Sequence, residues 1–268
     1  LAFQDLRPAT QVVYRGVLER FRTRFGDDPM TAFDASRIRR LMNAMRAKPH
    51  AAARLRKLLA QLFIIARVEK LVPSTFDPVK DTRPPKAEDT GGYHRWTEQE
   101  LSAFEAKHPL GTKPRLAFAL LLFSAQRSGD VRVLTNEAVT DGRIPLSQSK
   151  TSSAVDVPIV QPLREAIEAG PTGGVSILES NRTDPFTPKG FYNLVKRACI
   201  DAGLPHCSPH GLRKSAARRC KDAGCTNAEG MAITGHKTVR EYQRYAGDSG
   251  NAARADSAMG KVMANRPK

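Results

Sequence analysis

The stretch that decides the fold is LAFALLLFSAQRSGD, residues 116–130. Its first eight residues, Leu116 to Phe123, are apolar at every position, which predicts a helix buried on all sides. A polar segment with Arg127 and Asp130 follows directly. An arginine just past a buried helix, considered alone, is usually an ion-pair or surface residue, so Arg127 needs further residues beside it before it indicates a function.

The pattern on either side of this stretch predicts two domains. Residues 1–80 carry apolar side chains at helical spacing, and we expect an all-helical domain there. Prolines and glycines interrupt residues 81–95, which predicts a linker. Residues 96–268 then form the second domain. Thr10 is expected to cap the first helix of the chain.

The second domain contains the stretch that favours strands. Residues 141–160 alternate apolar and polar positions, with Val155, Val157 and Ile159 on one face, and this predicts a small antiparallel hairpin. The other segments favour helices, and three of these begin with a capping-box pair: Thr97 with Glu100, Thr226 with Glu229, and Thr238 with Glu241. The expected fold class is mainly α with a small antiparallel β-sheet, as a helical domain followed by a mixed α/β domain.

The chain is strongly basic, with 43 lysines and arginines against 27 acidic residues and a net charge of +16. Such a charge favours polyanionic partners, nucleic acid above all. No acidic residue lies between Ala35 and Val68, and a one-signed helical surface is tolerated where phosphates lie opposite it. A basic surface that serves solubility alone is the alternative. The candidate DNA-binding residues are Arg37, Arg39, Arg40, Arg46, Lys48, Arg54, Arg56 and Lys57.

Other functional classes have less support from the sequence. No apolar run approaches the roughly 20 residues of a membrane helix, and no signal peptide is visible at Leu1, so we expect a cytoplasmic, nucleoid-associated protein without a membrane partner. The spacings of Cys207 with His210 and of Cys220 with Cys225 are loose for a metal site. We therefore expect neither a metal nor another cofactor.

Five further polar residues of the second domain need a common explanation. His210 and Arg213 are three residues apart in HGLRK, so they share one face of a helix. Lys150 lies at the expected hairpin, His236 follows a glycine, and Tyr245 comes nine residues after His236. Taken one at a time, each has an ordinary structural explanation, such as an ion pair, an exposed turn, a helix cap or core packing.

Taken together, their order and spacing resemble the tyrosine recombinase, or phage integrase, family over the whole second domain. The matching positions are Arg127 and Asp130 of the first arginine box, Lys150 of the hairpin, His210, Leu212, Arg213 and Lys214 of the second box, the Gly235–His236 pair, and Tyr245, which the spacing selects over Tyr242. The chain departs from the family at Ser124–Ala125, where Thr-Gly is usual, and at Thr234, where leucine is common.

The resemblance implies a site-specific DNA recombinase that cleaves and rejoins strands through a 3′-phosphotyrosine intermediate, and that integrates or excises a mobile element without a cofactor. The implied roles are phosphate clamping by Arg127 and Arg213, hydrogen bonding by His210 and His236, general-acid catalysis by Lys150, nucleophilic attack by Tyr245, and support of the pocket's basic residues by Asp130.

The resemblance also implies partners and domain roles. Residues 1–80 are similar to the family's core DNA-binding domain, and residues 96–268 to its catalytic domain. The implied partners are double-stranded DNA with specific recombination sites, further copies of the chain in a homo-tetramer on DNA, and DNA-bending or directionality factors. Two alternatives stay open: a DNA-relaxing enzyme similar to type IB topoisomerases, which use nearly the same residues, and a non-enzymatic basic DNA-binding protein.

Overall fold

The computed structural model describes residues 3–180, 184–247 and 251–264, which form twelve α-helices and one two-stranded antiparallel sheet. The expected fold class, mainly α with a small antiparallel β-sheet, is confirmed. The chain divides into two compact units, Leu1–Asp89 and Thr90–Lys268. This boundary falls inside the expected linker, and the roles assigned to the two domains stay predictions. Among the described helices, none is long and apolar enough to cross a membrane.

The first unit is helical, as its apolar spacing predicts. Its helices are α1 (Pro8–Phe25), α2 (Ala35–Ala44) and α3 (Pro49–Val68). Ile38 and Met42 of α2 pack with Leu59 and Phe63 of α3 in a core where each is at most 2% exposed. The aromatic rings of α1 are only partly buried against this core, so α2 and α3 supply most of its fully desolvated surface.

The start of α1 differs from the expectation. The helix begins at Pro8 with no side-chain cap, so the prediction that Thr10 caps it is wrong. Proline suits the first helical position because its φ is already helical and it has no N–H group to leave unpaired. At α2 the cap is a side chain, because Asp34 accepts a hydrogen bond from the Arg37 amide at 2.6 Å.

The second unit contains the other nine described helices and the sheet. Its elements are α4 (Glu98–Lys107), α5 (Lys113–Ser124), α6 (Ser128–Val131), β1 (Arg143–Ser147), β2 (Ala154–Pro158), α7 (Gln161–Ala169), α8 (Pro188–Asp201), α9 (Pro209–Asp222), α10 (Asn227–Thr234), α11 (Val239–Ala246) and α12 (Asn251–Ala264).

Helix α5 lies at the centre of the second unit, as its uninterrupted apolar sequence predicts. Phe118 and Leu120 are completely buried, and the helix packs against α7, α8 and α9. It ends at Ala125, which adopts a left-handed conformation with φ of 55°. Arg127 follows two residues later, at the start of the single-turn helix α6. The end of the buried helix therefore fixes the position of Arg127, the first arginine of the site.

The hairpin pairs β1 with β2 in an antiparallel register that sets Ile144 opposite Val157 and Leu146 opposite Val155. Ile144, Val155 and Val157 are buried on one face, which is the face that the alternating sequence predicts. Lys150 lies in the exposed turn between the strands. The hairpin thus carries Lys150 at its tip.

The capping pairs predicted from the sequence form to different degrees. The boxes at Thr97 and Thr226 are complete, with hydrogen bonds in both directions. At Thr238 the hydroxyl accepts from the Glu241 amide at 3.2 Å, but no reciprocal bond completes the box. Helix α11 still begins after Thr238, and it carries Tyr245 in its last turn.

The central position of α5 leads to a stability prediction. Replacing buried Leu120 with alanine should lower the free energy of unfolding by about 2–5 kcal/mol, because the removed side-chain atoms leave a cavity that the neighbouring residues fill incompletely. Trp96 is the only tryptophan and is 2% exposed, so its fluorescence during urea unfolding reports on the second unit. The control Ile200→Ala removes a side chain that is 54% exposed and should change stability by no more than about 0.5 kcal/mol. Equal effects of the two substitutions would contradict a buried α5.

Candidate active site

A cleft of about 640 Å³ in the second unit brings most of the predicted catalytic residues together. Its lining includes Arg127, Lys150, His210, His236 and Tyr245. These residues come from the end of α5, the hairpin turn, α9, the turn after α10, and α11. Five separate segments therefore converge on one basic cleft.

Arg213, the remaining predicted arginine, lies behind this lining and is completely buried. Its guanidinium donates to the Ala125 carbonyl at 2.5 Å and to the Thr234 carbonyl at 2.6 Å. These carbonyls stand at the C-terminal ends of α5 and α10, where a helix presents partial negative charge. Burial and the charge of Arg127 lower the pKa of Arg213 to about 10, so it stays protonated at neutral pH.

One donor of Arg213 is left over. Its Nε is buried and has no hydrogen-bond partner among the described residues. A buried donor without a partner costs free energy unless another acceptor supplies the bond. The charge and the unused donor together make this position suited to an anionic oxygen.

The hydrogen bonds around His236 define its protonation. Arg213 donates to Nε2 of His236 at 3.3 Å, so Nε2 carries the lone pair. The Nδ1 proton then points to the Thr234 hydroxyl at 2.8 Å, and that hydroxyl donates to the Gly230 carbonyl at 2.7 Å. Burial, followed by the charges of Arg213, Arg127 and His210, lowers the pKa of His236 to about 3. His236 is therefore a neutral imidazole with one defined tautomer.

His210 contacts the predicted nucleophile directly. Its Nε2 lies 2.8 Å from the Tyr245 hydroxyl. Burial and then the charges of Arg213, Lys214, Arg127 and Lys150 lower the pKa of His210 to about 4. A neutral His210 accepts the hydrogen bond of the phenol, so it is placed to take the phenol proton.

The two tyrosines of α11 occupy different environments. Tyr242 is 1% exposed, its hydroxyl donates to the Ala217 carbonyl at 3.2 Å, and burial raises its pKa to about 12. A Cβ atom at Gly230 would collide with the Tyr242 ring, so the glycine makes room for it. Tyr245 lines the cleft instead. Tyr242 is thus a core residue, and Tyr245 faces the site.

Gln148 organises Arg127, and sequence reasoning missed it. Its Oε1 accepts from Arg127 Nη1 and from the Thr151 hydroxyl, the latter at 2.8 Å. Its Nε2 donates to the Gln126 side chain at 2.6 Å and to the Thr234 carbonyl at 2.8 Å. A buried glutamine at the end of a strand gives no functional signal in a single sequence, because these partners lie up to 86 positions away.

Asp130 has a different partner from the one expected. Its expected role is to support the basic residues of the pocket. In the structure its Oδ1 accepts from the amide of Ser149 at 2.9 Å and from the Ser149 hydroxyl at 2.6 Å. Asp130 therefore holds the hairpin turn next to Lys150, and its carboxylate charge also acts on Arg213.

Tyr93 and Lys214 are two further neighbours of the site. The Tyr93 ring lies 4.7 Å from the His210 ring, measured between centroids. The Lys214 ammonium donates to the carbonyls of Gly91 and Tyr93 at 3.0 and 2.7 Å. The segment before α4 is thereby attached to α9 and covers one side of His210. Lys214 matched the family pattern, whereas Tyr93 gave no sequence signal.

In the first unit, the predicted DNA-binding residues divide into two groups. Arg37 pairs with Asp28 and lies over the Phe33 ring, and Arg56 donates to the carbonyls of Val79 and Thr82. These two support the unit's own structure. The exposed members are Arg39, Arg40, Arg46, Lys48, Arg54 and Lys57.

Comparison with known proteins decides the family. A sequence profile described as the phage integrase family matches residues 97–251. The chain belongs to this family. The integrase of Escherichia phage HK022 is 26% identical over 263 residues, which are 91% of this chain and 72% of the phage protein. Family membership makes the chain a tyrosine recombinase, a site-specific enzyme that breaks and rejoins DNA.

Solved structures show the same fold. A lambda integrase dimer bound to a COC′ core site has a TM-score of 0.80 at 23% identity, over 92% of this chain and 91% of that one. A lambda integrase tetramer bound to a Holliday junction has a TM-score of 0.79 at 23% identity, over 92% of this chain and 74% of that one. The chain therefore shares its fold with these integrase structures.

The lowered histidine pKa values lead to a prediction for the free recombinase. The unfolded chain takes up protons at His210 and His236 below about pH 6.5, whereas folded His210 and His236 do so near pH 4 and 3. Their contribution to stability is complete above pH 6.5 and is lost as the pH falls. Each histidine should contribute a slope of up to about 1.4 kcal/mol per pH unit between pH 6.5 and 4.5.

The measurement is urea unfolding by Trp96 fluorescence across this pH range. His236→Gln should reduce the pH slope of the recombinase, because one of the two protons is no longer taken up on unfolding. The control is His50→Gln, which replaces an exposed histidine of the other unit and should leave the slope unchanged. An unaltered slope in His236→Gln would show that His236 titrates normally in the folded protein.

Gln148→Met should lower the rate of DNA cleavage by about tenfold to a hundredfold, because Arg127 loses the acceptor that orients it. The loss should appear in the single-turnover rate at saturating enzyme and leave the affinity for DNA nearly unchanged. Gln161→Met, at an exposed position of α7, is the matched control and should cleave like the parent chain. Equal losses of rate and affinity in Gln148→Met would indicate general disruption of the fold.

Proposed function

We propose that this recombinase integrates or excises a mobile DNA element through a covalent 3′-phosphotyrosine intermediate formed at Tyr245. The observation that carries the proposal is the 2.8 Å contact between the Tyr245 hydroxyl and neutral His210. This contact lies in a cleft that Arg127 also lines, with buried Arg213 behind it. A nucleophile, a proton acceptor and two fixed cations are what attack on a phosphodiester needs.

The first chemical step needs only residues of this site as proton acceptor and proton donor. The Tyr245 oxygen attacks the phosphorus atom as its proton passes to His210, and a new P–O bond to tyrosine forms. The bond from phosphorus to the 5′-oxygen breaks, and Lys150 donates a proton to that oxygen. Rejoining reverses these steps when a 5′-hydroxyl of another strand attacks the phosphotyrosine, so the energy of the phosphodiester bond is retained.

The arginines stabilise the charge that develops on the phosphate. Arg127 lines the cleft, and Arg213 retains an unpartnered Nε donor close behind it. We assign the two guanidinium groups to the two non-bridging oxygens. Preorganised donors of this kind are worth about 3 kcal/mol each, or on the order of a hundredfold in rate.

The DNA and the assembly belong to the same proposal. The exposed basic residues of α2 and α3 would contact phosphates of the core site and position the duplex. Helix α12 exposes Met259, Val262 and Met263 at 57–60% of their surfaces, and such side chains suit docking on a neighbouring copy. We therefore propose a homo-tetramer on paired recombination sites at the nucleoid, aided by DNA-bending or directionality factors.

Variants of α11 test the nucleophile. On a nicked suicide substrate that carries a candidate attachment site, Tyr245→Phe should abolish the covalent protein–DNA adduct and leave DNA binding intact. Tyr242→Phe is the matched control, since it removes only the hydroxyl bonded to the Ala217 carbonyl, and it should still form the adduct. If Tyr245→Phe still forms the adduct and Tyr242→Phe does not, the nucleophile is Tyr242 and the assignment to Tyr245 is wrong.

Substrate choice separates the proposal from a DNA-relaxing enzyme. A recombinase of this kind should form the adduct only on DNA with its recombination site. Efficient relaxation of a supercoiled plasmid that lacks any such site would instead favour an activity like that of type IB topoisomerases.

A further inference from the structure

Outside the cleft, four side chains with metal-binding atoms converge in front of α9. They are His94, Glu100, His206 and Cys207, and their donor atoms all lie within 4.8 Å of one another. Over residues 3–180, 184–247 and 251–264, this is the one group of three or more His, Cys, Asp or Glu side chains gathered so closely. None of the four lines the cleft or takes part in the reaction proposed above.

Hydrogen bonds explain only part of this cluster. The Glu100 carboxylate is hydrogen-bonded to both imidazoles. His94 Nε2 lies 2.8 Å from one of its oxygens and His206 Nε2 lies 2.5 Å from the other. The two rings stand edge to face with centroids 4.8 Å apart. This triad accounts for three of the residues. Cys207 is a completely buried free thiol. Its sulfur lies within 4.8 Å of the other three donor atoms, although it is not one of the three hydrogen-bonded side chains.

We propose that these four residues form a structural zinc site that ties the segment before α4 to the start of α9. Two imidazoles, a carboxylate and a thiol are ligands that Zn²⁺ accepts, and four protein ligands make a closed tetrahedral site. Metal–ligand bonds of about 2.0–2.3 Å place tetrahedral ligands about 3.3–3.8 Å apart. The separations in the cluster, from 2.5 Å up to at most 4.8 Å, surround this range, so small side-chain movements reach it.

The access and the anchoring of the cluster also suit a metal. The side chains of His94 and His206 are 39% and 52% exposed, which gives an ion a path from solvent, whereas Glu100 is 15% exposed and Cys207 is buried. Glu100 is also fixed at the first turn of α4, because it accepts from the Thr97 amide at 2.7 Å. Two ligands are therefore held firmly and two can close over the ion.

The position of the cluster explains what the metal does. Tyr93, whose ring packs at a tilt against the His210 ring, directly precedes the proposed ligand His94. On the other side, Cys207 directly precedes Ser208, whose carbonyl accepts from the Trp96 indole at 3.0 Å. A Cβ atom at Gly211 of α9 would collide with the His94 carbonyl, so the two segments are already in close contact there. The zinc ion would fasten this contact and hold α9, with His210 and Arg213, in register.

Metal titration tests the site without DNA. Tag-free full chain is stripped of metal with a chelator and titrated with Co²⁺, a spectroscopic substitute for Zn²⁺. We expect one equivalent to bind, with the visible bands of tetrahedral Co²⁺ and a thiolate-to-metal charge-transfer band in the near ultraviolet. One equivalent of Zn²⁺ should bleach these bands and raise the unfolding midpoint followed by Trp96 fluorescence.

Two matched cysteine variants identify the ligand. Cys207→Ser should lose the charge-transfer band, whereas Cys199→Ser, at an equally buried cysteine, should keep it. His206→Gln changes a half-exposed side chain, so the variant should fold normally and keep the thiolate-to-metal band. Its affinity for Zn²⁺ should fall by more than the roughly ten- to hundredfold that is typical when a residue outside the ligand set is changed.

Three outcomes would overturn the site: no binding at one equivalent, a charge-transfer band that survives in Cys207→Ser, or unchanged Zn²⁺ affinity in His206→Gln. These readouts do not involve cleavage. A failure here therefore leaves the assignment of Tyr245 intact, and loss of the Tyr245 assignment leaves the zinc site intact.

Discussion

The burial of the Arg213 guanidinium is the constraint on which the rest of the site depends. An isolated charge in a protein interior costs several kcal/mol, and here the carbonyls that end α5 and α10 offset that cost. The two helices must therefore end where they do, at Ala125 and after Thr234. Since Arg127 follows one of these ends and His236 follows the other, the contacts that keep Arg213 charged also place its two neighbours.

The concentration of positive charge sets the chemistry of the histidines. Burial, followed by the positive charges of Arg213 and Arg127, lowers the pKa of both His210 and His236 and keeps the two imidazoles neutral. A neutral His210 can accept the proton of Tyr245, which an imidazolium could not do. The same charges attract the phosphate. In the proposed reaction, phosphate binding and proton transfer would thus depend on one set of side chains.

The sequence predicted those features that local pattern controls. The apolar run predicts the buried helix α5, and the alternating residues predict the hairpin, because each pattern lies within one or two elements. The spacing from His210 to Tyr245 spans three helices, α9 to α11, and indicates the site through the family resemblance. Gln148 could not be found in this way, because its partner Thr234 is 86 positions away. The cluster that contains His94 and Cys207 could not be found for the same reason, since its side chains come from two distant segments. Where local rules competed, as at Thr10, the proline at the helix start prevailed.

The departures from the family pattern have physical roles in this chain. Ala125 adopts the left-handed turn that the usual glycine would favour, at a cost of about 1–2 kcal/mol, and its buried methyl group offsets part of that. Thr234 supplies the hydroxyl that accepts the hydrogen bond of the His236 Nδ1 proton. The low pKa values of His210 and His236 also bear on DNA binding. A phosphodiester bound beside Arg127 and Arg213 would offset part of their positive charge, and this would raise the pKa of both imidazoles from the low values that burial and these charges give them in the free protein. At a pH near the raised pKa values, DNA binding would take up protons from solvent, and the measured heat of binding would then depend on the ionisation enthalpy of the buffer.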